Sequence, residues 1–228
     1  MVIANKQGKH IHIHGSPPLC NSLLILFTFI NIKIKNQFFL GTSIIMNILI
    51  IILVIYIILI LITPKKYKWY LPTIPVYKNN ELEVLEVEQM VLNRSPNDVS
   101  FFKKTDESIV YAFSNIVPES NTQLRKLTTN FKILNFIRFF KYTINRPRPN
   151  QYNKSLEVLY STTADTPAYP AGHALQAYYL AKILGKKYPF IKSQLDNIAY
   201  QCDIIRVKAG LHYPSDGQFS KVLIDTFF

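Results

Sequence analysis

Residues 124–144 read LRKLTTNFKILNFIRFFKYTI, with apolar Leu127, Phe131, Leu134, Ile137 and Phe140 recurring at intervals of three and four. That is the period of a helix with one apolar face, not the alternation of a strand. Reading outward from it, residues 81–93 carry Leu82, Leu85, Val87 and Val91 amid acids, and residues 98–116 carry Val99, Phe102, Ile109, Val110 and Phe113. Both predict helices. On the far side, 171–186, 192–208 and 214–227 complete the set. Alternating patterns are scarce and no repeat is evident, so the expected fold class is all-α, a helical bundle over residues 81–228.

Ahead of the bundle, residues 44–62 contain no charge and are almost entirely Ile, Leu and Val. As a helix this run would rise about 28 Å, close to the hydrocarbon thickness of a bilayer. Its β-branched residues disfavour helix in water, but in lipid the backbone has to bond to itself. Thr63-Pro64 ends the run, and Lys65, Lys66, Lys68, Trp69 and Tyr70 follow as at a membrane interface. The expectation is a transmembrane anchor over 44–63, a tail over 1–43, and a proline-bearing linker over 64–80. The chain is thus expected at a membrane, single-pass, or with two spans if the shorter apolar run at 23–32 also crosses. Lys33 and Lys35 before the anchor offset the lysines after it, so the positive-inside rule assigns no orientation. Met46 just inside the span offers an alternative start, which would give a signal-anchored product.

The chain has 228 residues, 49% hydrophobic, enough for one good core. Its formal charge of +12 is scattered rather than gathered in a tract, and no zinc-finger spacing or heptad run is present. A solvated basic surface is the reading, and no nucleic acid is expected as a partner. Cys20 and Cys202 form no CxxC, which supports neither a redox nor a zinc site. His10, His12 and His14 alternate in the tail, outside the bundle.

Between Lys141 and Asp216 the sequence sets three polar clusters. Lys141 belongs on the last turn of its helix, and Arg148, bracketed by Pro147 and Pro149, on a stiff loop beyond it. In Tyr169-Pro-Ala-Gly-His173 a helix begins near Ala171, so backbone N–H groups and a positive dipole end face outward. Gly172 would let an anion approach there, and His173 would lie beside it. In the third cluster, Arg206 ends one helix, Pro214 starts the next, and Asp216 in its first turn can bond one ring nitrogen of His212. Two guanidinium groups, an ammonium, two imidazoles and a carboxylate are what a metal-free phosphate-handling site needs.

Taken together, Lys141-x6-Arg148-Pro149, Pro170-Ala-Gly-His173 and Arg206-x5-His212-x3-Asp216 resemble the three-part signature of the type 2 phosphatidic acid phosphatase and vanadium haloperoxidase superfamily. The resemblance implies a helical bundle of the acid phosphatase/haloperoxidase type behind an N-terminal transmembrane helix. It implies that Lys141, Arg148 and Arg206, with backbone at Ala171 and Gly172, bind phosphate. His212 would form a phosphoenzyme, His173 would serve as general acid and then activate water, and Asp216 would orient His212. Neither metal nor other cofactor is implied, and the substrate would be a phosphate ester, with lipid phosphates among the candidates. Two positions depart from the family pattern. Ala171 stands where Ser is usual, removing one hydroxyl donor while leaving the backbone N–H, and Ile205 replaces the Ser common before the family's arginine. A vanadium-dependent haloperoxidase is the alternative within the same resemblance, disfavoured by the short chain. A non-catalytic anchored protein that binds phospholipids is the alternative from another class.

Overall fold

In a computed structural model of the chain, the described residues are 43–62 and 77–228, with side chains described over 46–58 and 77–228. The tail, the apolar run at 23–32, Cys20 and residues 63–76 of the expected anchor end and linker lie outside them. The chain divides into two units, Met1–Ile50 and Ile51–Phe228. Helix α1 (Ser43–Ile62) coincides with the uncharged run, 20 residues with no acid in its first turn and no base in its last. Among the described residues no helix is long and apolar enough to cross a membrane. The side chains of α1 are described only over 46–58, a rise of about 20 Å against a hydrocarbon core of about 30 Å.

From Tyr77 onward every described element is helical, as expected. The order is α2 (Asn80–Leu92), α3 (Pro96–Asp106), α4 (Val110–Phe113), α5 (Asn121–Thr128), α6 (Phe131–Ile144), α7 (Pro149–Tyr152), α8 (Gly172–Lys187), a 3-10 turn (Pro189–Ile191), α9 (Lys192–Lys208) and α10 (Pro214–Phe227). The one-helix readings of 98–116 and 124–144 each resolve into two. Residues Glu107 to Ile109 interrupt the first, after Asp106. The second breaks at Thr128-Thr129-Asn130. Both threonine hydroxyls donate back to carbonyls of the preceding turn, and the Asn130 side chain accepts from Ile133 N–H, capping a new helix. Other starts are equally local: Ser95 and Ser120 form capping boxes with Asp98 and Gln123, and Pro96 sits at N1. Helix α6 ends at Asn145, whose left-handed backbone (φ 52°) donates its N–H to Lys141 O at 2.8 Å. That turn sends residues 146–148 back across the bundle.

Helix α8 lies at the centre. It packs on α5, α6, α9 and α10, most extensively on α9. Ala174, Ala177 and Ala181 let neighbours approach closely, while Leu175, Leu180 and Leu184 fill the gaps, all nearly fully buried. Each such leucine contributes about 2 kcal/mol by leaving water. One core gathers Ile109, Phe113, Leu124 and Leu195 around this helix, and another gathers Ile133, Ile137, Phe140 and Leu223. On α2 the buried stripe is Val84, Val87 and Val91, with Glu83, while Leu82 and Leu85 face solvent.

Where α8, α9 and α10 meet, Asp203 is buried and accepts a hydrogen bond from Tyr178 Oη at 2.9 Å. Gly217 of α10 is required there, because a Cβ would stand 1.8 Å from Asp203 Oδ1. Burial pushes the Asp203 carboxyl from its ordinary 3.8 up to about 7, with Tyr178 pulling it down and Asp216 adding to the rise. The unfolded chain therefore gives up this proton near pH 4 and the folded chain near pH 7. The contribution of Asp203 to stability is therefore most favourable on the acid side of pH 4, falls between about 4 and 7, and carries the full penalty above 7. A rise of this size corresponds to about 4 kcal/mol. Asp203→Asn is expected to raise the melting temperature at pH 8 and to leave it nearly unchanged at pH 4. Thermal melts at both pH values check this, and an equal shift at both would refute it.

Candidate functional site

The last turn of α6, the turn at 145–148, the start of α8, the end of α9 and the turn before α10 converge on one cavity of about 180 Å³. Lys141, Arg148, Gly172, His173, Arg206 and His212 all line it. A larger groove of about 840 Å³ runs between α2, α3 and residues 153–157, but none of these side chains reaches it. Volume alone does not make a site; the charge does.

His212 is 2% exposed and sits between two fixed partners. Its Nδ1 lies 3.0 Å from Asp216 Oδ2, and its Nε2 lies 3.2 Å from Arg148 Nη1. A carboxylate can only accept and a guanidinium can only donate. Nδ1 therefore carries the proton, and the Nε2 lone pair points toward Arg148 and the cavity. Asp216 is held in turn: Oδ2 also accepts from Tyr213 N–H at 2.9 Å, and Oδ1 accepts from Arg146 Nη1 at 2.7 Å. Arg146 continues to Glu83 at 2.7 Å, and Glu83 accepts both the N–H and the hydroxyl of Ser215. The imidazole thus stands at the end of a buried chain running Glu83, Arg146, Asp216, His212.

The cations are as firmly placed. Arg148, the residue before α7, donates to Leu211 O and Thr166 O, each at 2.8 Å. Lys141 Nζ donates to Pro167 O. Arg206 Nη1 bonds Asp106 Oδ1 at 2.7 Å and its Nη2 bonds Ser161, while its buried Nε has no hydrogen-bond partner among the described residues. Asp106 serves twice, since its backbone carbonyl also takes His173 Nε2 at 2.8 Å. A carbonyl only accepts, so Nε2 of His173 is the protonated nitrogen, and Nδ1 is left to take or give a proton.

Burial and mutual repulsion pull the basic groups down together. Lys141 falls well below its ordinary range through burial and the charges of Arg148 and Arg206. Arg148 falls to about 9 through burial and Arg206. His173 falls to about 3 for the same two reasons, and His212 falls well below 6.5 through burial, Arg148 and Lys141. Both imidazoles are neutral at pH 7. A dianion among these cations removes the repulsion and draws protons back, which is the electrostatic signature of an anion site.

Every sequence-predicted side chain except that of Ala171 belongs to this cluster. Ala171 is completely buried, and its N–H, expected to serve phosphate, donates to Asp216 O at 3.2 Å. Its carbonyl accepts from Leu175 N–H and from the Ser220 hydroxyl. Ala171 ties α8 to α10 instead, and the N–H groups that open α8 begin with Gly172. A Cβ on Gly172 would make ordinary contact with Lys141 Cε at 3.5 Å and Ile137 Cγ2 at 3.6 Å, so this residue packs against α6 at the cavity wall. Sequence reasoning missed Asp106, Arg146, Glu83 and Thr166. The pairing of Arg146 with Arg148 around Pro147 was the one available signal.

No family model and no curated protein matches the chain. Among solved structures, it is similar to a transmembrane PAP2 type phosphatidylglycerolphosphate phosphatase from Bacillus subtilis, at 19% identity over 77% of this chain and 92% of that one, with a TM-score of 0.42.

Proposed function

We propose that this chain is a membrane-anchored, metal-independent phosphomonoesterase, phosphatidic acid phosphatase-like, that works through a phosphohistidine at His212. The observation that carries the reading is the oriented His212, proton on Nδ1 toward Asp216 and lone pair on Nε2, opening on a cavity walled by Lys141, Arg148 and Arg206. A phosphoryl dianion among those three cations takes the place of their repulsion, and Arg148 turns its donor from Nε2 to a phosphoryl oxygen.

Nε2 then attacks phosphorus as the bond to the ester oxygen breaks, and His173 delivers a proton to that oxygen. His173 is neutral beside bare cations, but the dianion raises its proton affinity, so substrate binding itself loads the general acid. With the alcohol gone, His173 accepts a proton from water, whose oxygen attacks phosphorus and releases His212 and inorganic phosphate. Asp216 stays ionised beside Arg146 through both steps and stabilises the positive charge on the phosphorylated ring.

Anchoring rests on the sequence, on the uncharged run of Ile, Leu and Val over residues 44–62. It favours substrates at a bilayer, phosphorylated lipids first among them. The test uses full-length protein in detergent with EDTA present. Phosphate is expected from both p-nitrophenyl phosphate and micellar phosphatidic acid, with inhibition by vanadate. Labelled substrate quenched in alkali is expected to leave acid-labile, alkali-stable label on the protein. Turnover that EDTA abolishes, or turnover without label in a rapid quench, would overturn the reading.

A further inference from the structure

One buried ionisable group beside the site takes no part in the steps above. Asp203 lies on α9, outside the cavity, and is 5% exposed. Its Oδ2 accepts from Tyr178 Oη at 2.9 Å, and its buried Oδ1 has no hydrogen-bond partner among the described residues. The carboxyl group fills the place that a side chain at position 217 would take. A Cβ there would stand 1.8 Å from Oδ1 and 2.2 Å from both Cγ and Oδ2. Helix α10 therefore lays the backbone of Gly217 against this carboxyl, and the preceding residue is Asp216, which orients His212.

The helices that meet here also carry the reacting groups. Tyr178 is on α8, which opens with Gly172-His173, Arg206 is in the last turn of α9, and Asp216 is in the first turn of α10. A neutral carboxyl can stay dry with one oxygen unpaired, whereas a carboxylate with an unpaired oxygen demands water or a cation. No cation pairs with Asp203 among the described residues. Tyr178 of α8 donates to it, and Asp216 of α10 works against its charge. On its own helix, the Cys202 thiol is pushed up to about 12 by burial, and Arg206 is bound to Asp106. Helices α2, α3 and α4 also pack on α9, and from α3 Lys104 acts on Cys202. Burial therefore prevails, and the carboxyl titrates at about 7.

We infer that Asp203 is a positioning residue whose proton controls the site: protonated, it holds the nucleophile in line, and ionised, it releases it. With the proton on, the carboxyl stays dry, Gly217 rests on it, and Asp216 meets His212 Nδ1. With the proton lost to solvent, the carboxylate draws water into the seam between α9 and α10. The contact at Gly217 leaves no room for that water, so α10 moves away at Gly217 and carries Asp216 with it. The His212 ring then loses the partner that fixes its tautomer and its aim. Asp203 touches neither the phosphoryl group nor either imidazole, and it acts only through α10. This rests on the phosphatase reading above and adds regulation to it: turnover is throttled in alkaline surroundings.

The test is the pH dependence of p-nitrophenyl phosphate turnover by full-length protein in detergent, for wild type, Asp203→Asn and Tyr178→Phe. A group that must hold its proton costs up to about tenfold in rate for each pH unit above its midpoint. Asp203→Asn cannot ionise, so its rate is expected to match wild type at about pH 6 and to exceed it about tenfold at about pH 8.5. Tyr178→Phe removes the hydrogen bond that favours the carboxylate, so its alkaline fall is expected about half a pH unit or more above that of wild type. A merely structural role would scale the rate alike at every pH. Profiles that superimpose after scaling, or a Tyr178→Phe fall displaced to lower pH, would overturn the role of Asp203 and leave the phosphatase reading standing. If Asp203→Asn does not fold, the direction of the Tyr178→Phe displacement decides alone. Absence of wild-type turnover at every pH would overturn the phosphatase reading and this inference with it.

Discussion

Replacing His212 by Ala is expected to lower phosphate release by about 10⁴-fold or more while leaving the fold and the phosphate site in place. Four decades correspond to about 5.5 kcal/mol of lost transition-state stabilisation, the scale of removing a nucleophile rather than of disturbing a neighbour. The substitution leaves Asp216 with Arg146 and the Tyr213 N–H, so no buried carboxylate is stranded. All three cations remain, and Arg148 keeps Leu211 O and Thr166 O. Phosphate affinity should therefore change by less than about threefold, and alkali-stable label should vanish. Initial rates on p-nitrophenyl phosphate, with phosphate titrated by calorimetry, decide it. A variant that retains more than a hundredth of the rate would move the nucleophile away from His212.

What could be read from residues alone divides along the range of the interactions. Helix α9 begins at Lys192 and ends at Lys208, and α10 begins at Pro214, all as expected, because a proline start and an apolar period are local properties. The pairing of His212 with Asp216 was equally local, two residues on either side of a proline turn. The breaks at Thr129-Asn130 and after Asp106 were harder. Each competes with an unbroken apolar period, and the side-chain hydrogen bonds that win are visible only in the fold. Asp106 meets His173 and Arg206 across 67 and 100 residues, distances at which no spacing rule operates. The partner of Ala171 is hidden from the sequence for a related reason. Its N–H faces α10, and only the packing of α8 on α10 shows that Asp216 O takes it. Arg146 and Arg148 look interchangeable around Pro147. Their division of labour, one turned to carboxylates and one to the cavity, follows from the left-handed turn at Asn145.

That division makes Arg146 the residue whose loss should cost the fold most. Its side chain is completely buried, with Glu83 and Asp216 as ion-pair partners at 2.7 Å each, 1% and 0% exposed. Its Nε donates to Asn80 Oδ1 at 2.9 Å, and its guanidinium lies 3.7 Å from the Tyr213 ring centre and 4.2 Å from that of Tyr77. Burial works against its charge, but Asp216 and Glu83 outweigh that and hold it above its ordinary range. Arg146→Met fills the volume and strands two buried carboxylates, a change that typically costs about 3–5 kcal/mol. For a protein of this size the melting temperature should fall by roughly 6–20 °C. Activity should fall as well. Burial already pushes the Asp216 carboxyl up and Arg146 pulls it back, so without Arg146 it takes a proton and no longer steadies the charge on His212. Adding Glu83→Gln to Arg146→Met removes one stranded charge and should restore part of the stability, whereas Glu83→Gln alone destabilises. The sign of that coupling separates a buried ion network from two unrelated packing defects. A melting temperature within about 3 °C of wild type for Arg146→Met, or additive losses in the double variant, would show that Glu83, Arg146 and Asp216 do not act as one unit.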